Sequence, residues 1–160
     1  MEKLVQAIAA VLRAQGRTLA TAESCTGGLV GAALTDLPGS SVWYLGGVVA
    51  YSNSLKTHLL RVPQETIAVH GAVSAETAQA MAEGIRAQTG ADFGIAVTGI
   101  AGPDGGTPDK PVGLVYMALA KPRPGKTVVS EHRFTGTRAA IRAAATEAAL
   151  QHVLAAATAS

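Results

Sequence analysis

Four short stretches of this chain hold residue types that do chemistry. The first is Thr21-Ala22-Glu23-Ser24-Cys25-Thr26-Gly27-Gly28, whose pattern predicts a strand running into a helix. A hydroxyl at such a junction faces unpaired amides and the positive end of the helix dipole, which favour anions. Those donors suit a carbonyl oxygen turning into an oxyanion, with Ser24 as the attacking group. The plainer reading is that Ser24 is a helix cap, a position that serine favours. Cys25 is a rival nucleophile by type, although a single cysteine is more often a small buried apolar residue.

The second stretch, Tyr51-Ser52-Asn53-Ser54-Leu55-Lys56, reads as another strand-to-helix junction. Strand ends in α/β sheets share an edge where ligands bind, so Ser24 and Lys56 are expected to be able to meet. A serine nucleophile needs an adjacent base, and lysine serves only when burial or a neighbouring cation lowers its pKa. Otherwise Lys56 is a solvated charge on a helix. The third stretch, Thr98-Gly99-Ile100-Ala101-Gly102-Pro103-Asp104-Gly105-Gly106, has glycines that let backbone amides approach an anion. It lacks the Gly-Lys-Ser/Thr of a P-loop and the spacing of a dinucleotide fingerprint. Its alternative is a structural cluster of turns. The fourth stretch sets Arg138 and Arg142 four apart near a helix start, where a guanidinium suits a phosphate; both are otherwise solvated. His58, His70, His132 and His152 show no metal-ligand spacing, so no metal site is expected.

The elements that must position these groups follow from hydrophobic periodicity. Leu4, Val5, Ile8, Val11 and Leu12 predict a helix ending near Gly16. Strands are expected at Thr18–Ala22, Leu45–Tyr51 and Phe93–Thr98, with a helix from about Cys25 to about Leu34 after the first. Ser52 or Asn53 caps a helix carrying Lys56, and a short helix follows Pro63. Ser74 caps a long helix ending at Gly90. Val112–Ala120 and Thr127–Phe134 read as an antiparallel pair, and a last helix spans about Arg138 to Ala155. This order predicts one α/β/α layered domain over residues 1–160, with a mixed sheet flanked by helices.

Composition narrows the function. With 48% hydrophobic and 15% charged residues the chain can build a core. A net charge of +2, with no basic block interleaved with aromatics, argues against nucleic acid as a partner. A single cysteine permits no intrachain disulfide, and neither a leader segment nor a membrane span is read, so the cytoplasm is expected. Alanine-rich helices suit a homodimer.

Taken together, these residues resemble the CinA carboxy-terminal domain family, whose characterised members include nicotinamide-nucleotide amidohydrolases. The resemblance rests on Ala22–Gly28, Pro38-Gly39-Ser40-Ser41, Tyr51-Ser52-Asn53 and His70-Gly71-Ala72-Val73-Ser74. It continues through Thr98–Gly106, Lys110-Pro111-Val112-Gly113 and Phe134-Thr135-Gly136-Thr137-Arg138. These motifs occur in the family's order across about residues 18–155. The resemblance implies a serine–lysine hydrolase that converts nicotinamide mononucleotide to nicotinic acid mononucleotide and ammonia without a cofactor. By position it implies Ser24 as nucleophile, Lys56 as base and Tyr51 as an assisting hydroxyl. Thr26, Gly27, Thr98, Gly99, Ile100, Ala101, Gly102 and Gly105 would bind substrate, with Arg142 as a phosphate or substrate contact. Full-length CinA proteins carry a larger amino-terminal domain, so this chain resembles a standalone form or an excised domain. The rival readings are a nucleotide-binding or competence-associated interaction module without turnover, and a hydrolase for another amide.

Overall fold

The computed structural model describes residues 1–159. Apolar residues at helical spacing bury one stripe of α1 (Glu2–Gln15), which Gly16 ends in a left-handed cap. There follow β1 (Leu19–Glu23), α2 (Leu29–Thr35), a short 3-10 turn and β2 (Tyr44–Val49). Helices α3 (Asn53–Leu60), α4 (Gln64–His70) and α5 (Ala75–Thr89) lead to β3 (Phe93–Gly99). Strands β4 (Leu114–Ala120) and β5 (Val128–Arg133) precede α6 (Arg138–Thr158).

The five strands form one sheet in the order β2-β1-β3-β4-β5. β1 runs parallel to both neighbours, whereas β4 is antiparallel to β3 and β5. The expected α/β architecture with a mixed sheet between helical layers is thus the observed one. Strand alternation sorts the two cores. Phe93, Ile95 and Val97 of β3 and Val115, Met117 and Leu119 of β4 pack with α1, α2 and α6. Ala20, Ala22, Ala96 and Ala118 face the other way, toward Leu60 of α3 and Met81, Ala82 and Ile85 of α5. Small alanines on that face let α5 lie close to the sheet.

From β1 the chain crosses through α2 to β2 on one side; it then returns through α3–α5 to β3 on the other. The carboxyl ends of β1 and β3 therefore flank a point where the connections diverge, the usual place for a ligand in such sheets. All three expected junctions lie there: the turn after β1, the segment after β2 and the loop after β3.

The helix expected to begin at Cys25 begins instead at Leu29, capped by Gly28. Gly27 and Gly28 adopt φ 61° and 102°, which a helix cannot accommodate. The strand expected from Val112 starts at Leu114, because Gly113 takes φ 93° and its amide turns back to the Ile100 carbonyl.

Candidate active site

Alternation along β1 divides the work between two neighbouring residues. Glu23 points to the α2 side, and its carboxylate accepts the amides of Gly28, Val30 and Gly31 at 2.9, 3.1 and 2.8 Å. Glu23 is buried, so the backbone of α2 supplies the partners that its charge requires. This corrects the reading of Ser24 as a helix cap: the cap carboxylate belongs to the residue before it. The anion-favouring amides at the start of α2 are likewise committed to Glu23.

Ser24 continues the ladder by one bond, from its amide to the Val97 carbonyl at 3.0 Å. It falls on the opposite face, toward α3. There Lys56 Nζ lies 3.1 Å from Ser24 Oγ. Ser52 caps α3 by accepting the Leu55 amide, which places Lys56 on the helix turn facing the sheet. Only 2% of Lys56 is exposed, so the solvated-charge reading fails. Its other partners are the carbonyls of Ala50 at 3.1 Å and Tyr51 at 3.4 Å. Neither of the ion pairs among the described residues involves it. Burial among neutral oxygens lowers the Lys56 pKa from the usual lysine value.

The arrangement has a stereochemical consequence. A neutral amine has two N–H donors and one lone pair. With the donors on the two carbonyls, the lone pair is left for the serine hydroxyl. The group is then set to accept the Ser24 proton.

Ser24 and Lys56 open onto a cavity of about 220 Å³ that Tyr51, Thr98, Gly99 and Ala101 also line. The other expected contacts, Thr26, Gly27, Ile100, Gly102, Gly105 and Arg142, are not among its lining residues. The Tyr51 hydroxyl accepts from Arg138 Nη2 at 2.9 Å, and its carbonyl serves Lys56. The Thr98 hydroxyl donates to the Ala72 carbonyl at 2.8 Å, tying the end of β3 to the segment before α5. The Ile100 amide donates to Leu114, and a side chain at Gly99 or Gly102 would run into Val115 or Val112. Those glycines therefore have a packing role. Thr26 is fully buried, backbone included, and its hydroxyl has no partner among the described residues, so the expected substrate contact is not seen there.

The two arginines also differ from expectation. Arg138 donates to the Gly102 carbonyl at 2.7 Å and to Tyr51, pinning the loop after β3 against the segment after β2. Arg142 donates from Nε to the Cys25 carbonyl and from Nη2 to the Thr26 carbonyl, both at 3.0 Å. The Cys25 thiol is buried, and loss of solvation pushes its pKa up to about 11, against its service as a nucleophile. Asn53 and Val73 line the cavity as well. Asn53 stands in the Tyr51-Ser52-Asn53 motif, a signal that could have marked it.

A family model described as the CinA C-terminal domain matches residues 1–157. The chain belongs to this family. A CinA-like protein of Acidobacterium capsulatum is 53% identical over 152 residues, covering 95% of this chain and 36% of that protein. A CinA-like protein of Citrifermentans bemidjiense is 52% identical over 141 residues, covering 88% of this chain and 34% of its own length. The chain thus spans about a third of the length of these curated CinA relatives. Among solved structures, the competence/damage inducible protein CihA of Agrobacterium tumefaciens matches with a TM-score of 0.93 at 44% identity, covering 96% of this chain and 93% of that one. A CinA superfamily protein of Klebsiella pneumoniae matches with a TM-score of 0.93 at 39% identity, covering 98% and 97%. Among the described residues, no helix is long and apolar enough to cross a membrane.

Proposed function

We propose that this CinA-family chain is an amidohydrolase that cleaves the carboxamide of nicotinamide mononucleotide by a serine–lysine mechanism in the cytoplasm. The observation that carries the reading is the buried Lys56 Nζ, without a carboxylate partner among the described residues, 3.1 Å from Ser24 Oγ. Lys56 takes the hydroxyl proton as Ser24 Oγ attacks the carboxamide carbon. The carbonyl oxygen becomes an oxyanion, and the tetrahedral intermediate collapses as Lys56 returns the proton to the departing nitrogen. Ammonia leaves, and water then hydrolyses the acyl-serine to nicotinic acid mononucleotide, with Lys56 again as base. Tyr51 assists from the cavity wall, and Arg138 holds its hydroxyl. The chemistry calls on no cofactor.

The cavity at Ser24 is small, about 220 Å³, which suits a planar amide ring. The same proposal includes a homodimer, for which the exposed Leu45 and Val49 of β2 and Val42 of the turn before it offer an apolar face; sedimentation velocity distinguishes monomer from dimer.

The test is ammonia release from nicotinamide mononucleotide by the purified chain. Turnover is expected to vanish in Ser24→Ala with the fold intact. Lys56→Ala is expected to cost ~10²–10⁴-fold, the usual contribution of a general base. Binding of the nucleotide without ammonia release would instead favour an interaction module. Equal turnover of nicotinamide itself would move the substrate class.

A further inference from the structure

Resting on the amidohydrolase reading, we propose that Arg142 is a positioning residue that aims the Cys25 amide at the oxyanion, rather than a substrate contact. The peptides joining residues 24 to 27 are trans, since the cis bonds among the described residues are those before Pro103 and Pro124. In a trans peptide the C=O and N–H point in opposite directions. Arg142 Nε holds the Cys25 carbonyl at 3.0 Å, so the Thr26 N–H points away from α6. The Gly27 amide donates to the Ser24 carbonyl at 3.0 Å, and so turns the Cys25 N–H to the opposite side. Arg142 Nη2 on the Thr26 carbonyl fixes the third plane, whose N–H is the one already on Ser24.

Among the described residues the Cys25 and Thr26 amides have no backbone acceptor, and since Thr26 is wholly buried and away from the cavity, the Cys25 amide is the one available. Cys25 lines the cavity beside Ser24. The amide after a serine nucleophile is suitably placed for its oxyanion. The guanidinium on the Thr26 carbonyl also polarises the peptide whose N–H sits on the Ser24 carbonyl, and through that bond strengthens the Cys25 N–H as a donor. The amides that would ordinarily serve, those opening α2, are held by Glu23. The turn is therefore gripped by a carboxylate on its amides and by a guanidinium on its carbonyls. Arg142 reaches this place from 116 and 117 residues away in sequence. With Nε and Nη2 engaged on carbonyls, it is not presented to a phosphate.

The experiment compares wild type, Arg142→Lys and Arg142→Ala on nicotinamide mononucleotide and on its phosphate-free riboside. In parallel, a fluorophosphonate probe reports the reactivity of Ser24 without an amide substrate. Arg142→Ala is expected to lose about 10²-fold or more in kcat, the size of effect seen when an oxyanion donor is removed. KM is expected to stay within about threefold, with the preference for the phosphorylated substrate unchanged, as for an interaction made only in the transition state. Ser24 labelling should slow in step with kcat. Arg142→Lys should fall between, because one ammonium cannot hold both carbonyls in the guanidinium's geometry. If Arg142→Ala does not fold, the Lys variant carries the same comparison. A raised KM with kcat retained and the phosphate preference lost would overturn the proposal in favour of a substrate contact. Labelling and kcat both at wild-type rates would overturn it outright. Wild type that labels at Ser24 yet releases no ammonia would sink the amidase reading alone, and the labelling arm would still decide the role of Arg142.

Discussion

Lys56 is the residue whose environment departs furthest from what its type suggests. A lysine with 2% exposure and only neutral oxygen partners has lost the hydration that favours its charge. Its folded pKa is lowered, whereas the unfolded chain keeps the usual value of 10.5. Between the lowered value and 10.5 the unfolded state binds more protons, so stability rises with pH across that window. Below the window both states are charged and the folded one bears the burial. Lys56→Met is therefore expected to raise Tm most at neutral and lower pH, with the advantage shrinking as pH approaches 10.5, while turnover disappears. A Tm for Lys56→Met at or below wild type at neutral pH would contradict this account. For catalysis, kcat/KM should increase with pH through an apparent pKa below 10.5, as the free amine forms. A profile flat from neutral to strongly alkaline pH would argue against lysine as the base.

At the scale of elements, β1 and α2 form one unit joined by the Glu23 carboxylate. Three amides that a seven-residue helix would otherwise leave to water donate to it. Hydrogen bonds to charged groups are worth about 1.5–3 kcal/mol, and Gln in place of Glu removes the charge and swaps one acceptor oxygen for a donor. Glu23→Gln is therefore expected to destabilise the fold by about 2 kcal/mol, read as a lower denaturant midpoint at constant slope. It should also loosen the turn carrying Ser24, so activity should fall by more than the lost folded fraction explains. The periodicity of α1, α5 and α6 was legible because each buries a stripe that repeats every three or four residues. The start of α2 was not, because a carboxylate capping from the preceding strand resembles no local capping pattern.

Across the whole molecule, two cores on either side of one sheet hold the site at its carboxyl edge. Cys25 belongs to the core shared with α1, α2 and α6, one residue from the nucleophile candidate. With a buried thiol and a pKa of about 11, its alkylation by iodoacetamide at mildly alkaline pH is expected to require opening of that core. The rate should follow the denaturant unfolding curve, measured by mass spectrometry of the Cys25 peptide. Rapid labelling of the native chain would show the turn opening on its own.

What the sequence determined by itself was the order of elements, the α/β class and the polar stretches that gather at strand ends. These follow from short-range patterns: helical and strand periodicity, the Ser52 and Ser74 caps, and glycine turns. The motif series that placed the chain in its family is equally local. Only the tertiary structure decided partners. It made Lys56 a buried amine at Ser24, across 32 residues. It also turned Arg142 onto the backbone of the turn and gave the capping role to Glu23 instead of its neighbour. The physical reason is that solvation and hydrogen-bond partners depend on what the chain brings alongside a residue. A lysine on a helix reads the same in sequence whether its ammonium meets water or two carbonyls and a serine.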